Sequence, residues 1–171
     1  RIAGYPYGID LNRFNGTQEQ YDAWVNGEAL PEPPAPPAPL TKLGYPCNPE
    51  ESYITQYFGE NPQNYPVSRG HNGVDFGFNG RIGLPIYAAE DGTVEVSRED
   101  IGGYGRHIRI RHSHGITIYG HLHTRLVQVG DGVTKGQQIG TSGGNKDDPY
   151  CGYSTGPHLH FEYRWDIPAP Q

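Results

Sequence analysis

The stretch His71-Asn72-Gly73-Val74-Asp75-Phe76-Gly77-Phe78 decides how this chain folds. Val74, Phe76 and Phe78 alternate with Asp75, Gly77 and Asn79, the period-two pattern of a half-buried strand. The glycines argue against a helix, although His71 and Asp75, four apart, would share a helix face as well. On an extended strand, even separations place side chains on one face, so His71 and Asp75 point together. A second stretch, Gly156-Pro157-His158-Leu159-His160-Phe161-Glu162-Tyr163-Arg164, repeats the pattern. Leu159, Phe161 and Tyr163 alternate there with His158, His160 and Glu162. His121, in Tyr119-Gly120-His121-Leu122-His123, adds a further imidazole. Imidazoles with one carboxylate form a borderline-soft donor set that suits Zn²⁺, and three protein ligands leave one coordination position open. An open position distinguishes a hydrolytic zinc site from a structural one. A single His on a strand is an ordinary residue; five residues in this glycine-rich strand context carry the reading together.

Outward from these two stretches, residues 41–165 read as short strands. They fall around 54–58, 74–78, 85–88, 92–97, 107–112, 116–121, 137–140 and 158–164, with turn signals at Asp91-Gly92, His114-Gly115, Asp131-Gly132 and Gly143-Gly144. Asp91-Gly92 and His114-Gly115 suit tight reversals between antiparallel strands. Residues 129–140 read as a loop that turns twice on glycines. The expected fold is mainly β: an antiparallel sheet or open sandwich with a metal groove and long flanking loops at 60–70 and 141–156. Gly143, Gly144, Tyr150 and Tyr153 would shape that groove.

Residues 31–39, PEPPAPPAP, favour polyproline II and act as a semi-rigid spacer of about 28 Å, so 31–40 is expected to be a linker. Residues 1–30 are too few for a core of their own. Thr17 and Gln20 form a capping box for a short helix that presents Tyr21 and Trp24 and stops at Gly27.

The 171 residues include 25 Gly, 16 Pro, 13 Tyr and no Met, and the formal net charge is −6. The chain shows no basic footprint of the kind a nucleic-acid binder needs, and no apolar run reaches the length of a membrane-spanning helix. It opens on Arg1 without any Met, which reads as a processed or excised piece with any targeting segment upstream. Two cysteines, Cys47 and Cys151, lack zinc-finger spacing. A bridge between them would close a long loop and stabilise by about 4–5 kcal/mol in the chain-entropy model. Such a bridge would imply an oxidising, extracellular destination; two free thiols are the alternative.

Taken in order, these pieces resemble the lysostaphin-type zinc metallo-endopeptidases, which cleave peptidoglycan peptides. The likeness runs from Tyr53 to Arg164 through ITQYFG, HNGVDFG, LPIYAAEDGTVEV, GYGRHIRIRHSHGITIYGHLH, VQVGDGVTKGQQIGTSGG and GPHLHFEYR. The resemblance implies one Zn²⁺ per chain, with His71, Asp75 and His160 as ligands. It makes His121 and His158 the catalytic pair and Tyr65 a substrate-binding residue before the first ligand. His158 is the expected general base, with His121 orienting water or stabilising the oxyanion. The position two after His121 departs from the family pattern and holds His123, to which no chemistry is assigned. His107, His112 and His114 read as turn and strand residues.

Residues 1–30 resemble the C-terminal end of family 25 glycoside hydrolases, the muramidases. The expected organisation is therefore a muramidase-like tail at 1–30, the linker at 31–40, the endopeptidase domain at 41–167 and a tail at 168–171. The partners implied are bacterial peptidoglycan peptides and a tethered glycan-cleaving domain, and the place of action is extracellular, at the cell wall or phage-delivered. Two other readings stay open: a catalytically silent wall-binding or activator module, and a structural part of a phage lytic particle. Silent relatives would be expected to lack some of the five residues, and all five are present. The bond cleaved, glycine–glycine or one in the stem peptide, is not legible in the sequence.

Overall fold

The computed structural model describes residues 22, 23, 25–27, 42–65 and 70–165. The strands lie in the unit Pro39–Asp166. In chain order they are β1 (Tyr53–Gln56), β2 (Val74–Gly77), β3 (Pro85–Tyr87), β4 (Gly92–Arg98), β5 (His107–Arg111), β6 (Gly115–Gly120), β7 (Leu122–Arg125), β8 (Gly132–Val133), β9 (Gln138–Ser142) and β10 (His158–Trp165). A 3₁₀ turn, Pro62–Asn64, follows β1. Seven strands form one sheet in the order β1-β2-β10-β6-β5-β4-β8, and three form a second in the order β3-β9-β7. Every strand pair is antiparallel. The mainly β, antiparallel architecture expected from the sequence is the one observed.

The alternation decides which face is buried. On β2 and β10, Phe76 and Leu159 face each other across the ladder and enter the core, while Asp75 and His160 pair on the opposite face. The core draws on both sheets: Val94, Ile108, Ile110 and Tyr119 come from the large one, and Ile86, Leu122 and Ile139 from the small one. Burying this many aliphatic and aromatic side chains, each about 1.5–3 kcal/mol, holds the two sheets together. β10 is flanked on both sides, by β2 and β6, so the strand that carries His158 and His160 is an interior one.

Three details differ from the sequence reading. Asp91-Gly92 does not join paired strands: β3 pairs with β9, whereas β4 pairs with β5 and β8, so this turn carries the chain between sheets. Gly92 is required there because a Cβ would lie 2.3 Å from the Arg111 carbonyl oxygen. β8 falls within 129–140, expected as loop, and β7 was not among the expected strands. β7 is hidden because it follows β6 after the single residue His121, whose φ of 58° turns the chain out of the large sheet and into the small one. His114-Gly115 does close a hairpin, between β5 and β6.

The expected disulfide is absent: Cys47 and Cys151 are free thiols. Cys47 is buried in the core, and its thiol donates to Ser52 Oγ at 3.3 Å. Cys151 sits in the loop packed on Gly105, and its carbonyl oxygen is used by His121. Spacing along the chain carries no information on which secondary element buries each sulfur.

Asp22, Ala23 and Val25 are helical, Asn26 N–H donates to the Asp22 carbonyl at 3.0 Å, and Gly27 has φ 72°, as expected of the helix stop. Thr17, Gln20, Tyr21, Trp24, the linker 31–40 and the tail 168–171 lie outside the described residues. Among the described residues no helix is long and apolar enough to cross a membrane.

Candidate metal centre and active-site groove

His71, Asp75 and His160 converge from three places in the fold. Asp75 is on β2 and His160 is directly opposite on β10. His71 precedes β2, and its backbone is held by reciprocal bonds: its N–H donates to Glu60 and its carbonyl accepts from Gly59. The approach of β10 to this segment is close. A Cβ on Gly73 would lie 2.5 Å from the Phe161 carbonyl and 2.8 Å from His160 Cε1, so only glycine lets the two segments meet.

Hydrogen bonds set the tautomer of each imidazole, because a carbonyl or carboxylate only accepts. His71 Nδ1–H donates to the Tyr57 carbonyl at 3.3 Å. His160 Nε2–H donates to Glu162 Oε1 at 2.9 Å. What remain are His71 Nε2, His160 Nδ1 and Asp75 Oδ1, each an acceptor while both rings are neutral. Their separations are 3.0 Å between the two nitrogens, 2.8 Å from His160 to Asp75 and 3.2 Å from His71 to Asp75. Three buried acceptors this close repel one another unless a cation or a proton lies among them. The electrostatics agree. Burial disfavours a charged His160, yet the bonds to Asp75 and Glu162 outweigh it and raise its pKa to about 9. His71 is lowered, chiefly by burial and further by His160, against the pull of Asp75. Burial would raise Asp75, but the bond from His160 and the neighbouring imidazoles hold it below the ordinary range. The cluster takes up positive charge, and among the described residues these three are the set able to hold a metal ion. Two nitrogens and one oxygen fit zinc.

His121 and His158 stand beside this cluster with ring centroids 4.7 Å apart. His121 Nδ1–H donates to the Cys151 carbonyl at 2.8 Å, and His158 Nδ1–H donates to the Gly156 carbonyl at 2.8 Å. In the neutral form of each ring the lone pair therefore sits on Nε2. His158 Nε2 is 3.6 Å from Asp75 Oδ2. Burial, reinforced by His158 and His160, depresses His121 to about 3, so its ring is neutral at ordinary pH. The left-handed backbone of His121 is a strained conformation for a residue with a Cβ, and it aims the ring from the junction of the two sheets.

The five residues line one groove of about 440 Å³. Gln56, Asn61, Asn64, Tyr65, Tyr104, Tyr153 and Thr155 are among its other lining residues. Tyr65 stands against His71, with ring centroids 5.5 Å apart, and its hydroxyl is 3.5 Å from Gln56 Oε1. Thus every residue singled out from the sequence as ligand, catalytic or substrate-binding lines this groove. His123 is exposed on β7, and His107 and His112 are bonded elsewhere, to Gly105 and to Asp91 with Thr117. Of the loop residues expected to shape the groove, Tyr153 lines it, and Gly143 bridges to His158.

Sequence reasoning missed Glu162, Tyr104 and Asn72. Glu162 was visible by the same even spacing that linked His158 with His160. Nothing local marks Tyr104, which reaches the site from a loop.

Comparison with known proteins identifies the family. The family model described as peptidase family M23 matches residues 69–169, more than half of the chain. The peptidoglycan DD-endopeptidase ShyC of Vibrio cholerae is 44% identical over 103 residues, covering 58% of this chain and 22% of that relative. The chain therefore spans about a fifth of that relative's length. A zinc-containing peptidase from Vibrio cholerae has a similar structure, with TM-score 0.58 and 33% identity over 75% of this chain and 40% of that one. The catalytic domain of the antimicrobial peptidase lysostaphin from Staphylococcus simulans gives TM-score 0.58 and 32% identity, covering 71% of this chain and 86% of that one. With its two histidines and an aspartate gathered in one groove, this chain belongs to peptidase family M23.

Proposed function

We propose that the chain is a zinc-dependent endopeptidase that cleaves peptide cross-links or stem peptides of bacterial peptidoglycan, acting at the cell wall. The observation that carries this reading is the convergence of three acceptors, His71 Nε2, Asp75 Oδ1 and His160 Nδ1, beside two further imidazoles that face the same groove. The wall-acting relatives support the substrate class.

His71, Asp75 and His160 would hold one Zn²⁺. When bound, the ion supplies Lewis acidity toward a peptide carbonyl and lowers the pKa of water to about 7. The remaining steps belong to the protein. His158 Nε2 accepts the proton of the attacking water and returns it to the leaving amine, and its Nδ1–H bond to Gly156 keeps that nitrogen aimed into the groove. His121, neutral through burial, offers Nε2 as an acceptor that orients the water. The geometry therefore favours this role for His121 over oxyanion stabilisation, which needs a donor. Tyr65 and the amides of Gln56, Asn61 and Asn64, which line the groove, bind the peptide.

Residues 1–30 are proposed as the end of an upstream glycan-cleaving domain joined through the 31–40 linker. Digestion of purified peptidoglycan with product identification by mass spectrometry tests the function. Released peptide fragments with new amino and carboxyl termini support it and identify the bond; an undigested wall incubated with folded, zinc-loaded protein contradicts it.

A further inference from the structure

We propose that Glu162 is a positioning residue for the metal centre: it locks His160 as the Nε2–H tautomer and so aims the Nδ1 lone pair at the ion. The inference rests on the zinc reading above and adds a residue to it.

The Glu162 side chain is 0% exposed. Burying a carboxylate is costly unless it is fully bonded, and this one is. Oε1 accepts from His160 Nε2–H at 2.9 Å, from Asn72 Nδ2 at 2.8 Å and from Tyr104 Oη at 2.6 Å. Oε2 accepts from Arg164 Nε at 2.7 Å, and Arg164 Nη2 in turn donates to Tyr104 Oη at 2.6 Å. Arg164 and Asn72 thus fix the carboxylate, and the carboxylate fixes the imidazole. His160 and Glu162 lie on the same face of an interior strand, where the backbone has little freedom to re-aim either.

The choice of a carboxylate has a chemical reason. An ionised carboxylate is acceptor-only, so a neutral His160 must present its proton at Nε2 and keep the lone pair on Nδ1. An amide at 162 could turn its NH₂ toward Nε2. His160 would then carry its proton on Nδ1, pointed at Asp75, and that proton would occupy the place of the metal. A carboxylate also raises the basicity of the imidazole it accepts from, which strengthens the ligand.

The test measures zinc affinity of the full chain by chelator competition, for wild type and Glu162→Gln, at a temperature where both metal-free proteins are folded. Nitrogen-15 spectra of histidine-labelled protein read the His160 tautomer alongside. The expected result is zinc binding weaker by ~10–100-fold in Glu162→Gln, with a population of Nδ1–H tautomer. A lower melting temperature with unchanged zinc affinity overturns the inference and leaves Glu162 a scaffold residue. If Glu162→Gln does not fold, the zinc-loaded wild type still decides: the inference requires His160 to be protonated at Nε2, and the opposite tautomer overturns it. Wild type without zinc uptake sinks the zinc reading and the inference together, whereas equal uptake by both proteins sinks the inference alone.

Discussion

Two of the histidines in this groove lie outside the cluster able to hold a cation, and that separation has consequences. His121 and His158 each commit Nδ1–H to a backbone carbonyl and leave Nε2 to the groove. His121→Ala is expected to retain zinc and lose about 10²–10⁴-fold in peptide release, the range typical of a lost general acid–base or water-orienting group. Loss of activity by less than tenfold would remove His121 from the mechanism. The cysteines make a second residue-scale prediction. Cys47 lies in the core and burial raises its thiol pKa, despite an opposing bond to Ser52, whereas Cys151 is half-buried in a loop. A thiol reagent should label one cysteine in the native chain and two after unfolding, and reducing agent should leave the melting temperature unchanged. No labelling of the unfolded, unreduced chain would restore the bridge expected from the sequence.

Between elements, the contact of the segment before β2 with β10 determines whether the cluster assembles. Gly73→Ala places a Cβ against the Phe161 carbonyl and the His160 ring, with backbone on one side that cannot swing away. The expected cost is about 1–3 kcal/mol, together with weaker zinc binding, read by thermal melts with and without the metal. A melt indistinguishable from wild type would show that the strand shifts freely. The loop that bears Cys151 and Ser154 is held by Arg106, which bonds Asp148 at 2.6 Å and Glu99 at 2.7 Å. Burial would raise Asp148, yet the bonds from Arg106 and Tyr150 N–H keep its carboxyl below the ordinary range. Its contribution is thus present at neutral pH and disappears as pH falls below about 4, through the lowered native value. Solvent screening at this half-buried pair limits it to about 1 kcal/mol. Asp148→Asn should be less stable than wild type at pH 7 and indistinguishable near pH 2; a gap that persists in acid would assign the effect to packing.

How far the sequence carries depends on scale. Parity along a strand was enough to place His158 beside His160 on β10, since a two-residue period leaves one choice of face; His71, expected on the same strand as Asp75, instead precedes β2 across the bend at Asn72-Gly73 and reaches Asp75 from there. Parity said nothing of which strands adjoin, and the adjacency of β2 and β10 is what makes the pairs one site. The β7 strand escaped because hydrophobic periodicity does not register a chain that changes sheets at one left-handed residue, His121. Tyr104 escaped because a loop carries no period at all. Glu162 was in view and was read as the polar half of an alternation. A buried carboxylate on a polar strand face looks the same in sequence as an exposed one.

At the scale of the unit Pro39–Asp166, the fold brings two sheets together over a common core and arrays all five residues along a groove. In the proposed function three of the five hold a metal and two act beside it. Zinc content per folded chain, measured by elemental analysis for wild type and the five single alanine variants, tests it most directly. About one zinc is expected in wild type, His121→Ala and His158→Ala, and little in His71→Ala, Asp75→Ala and His160→Ala. Equal zinc in all six folded proteins, or none in wild type, would contradict it.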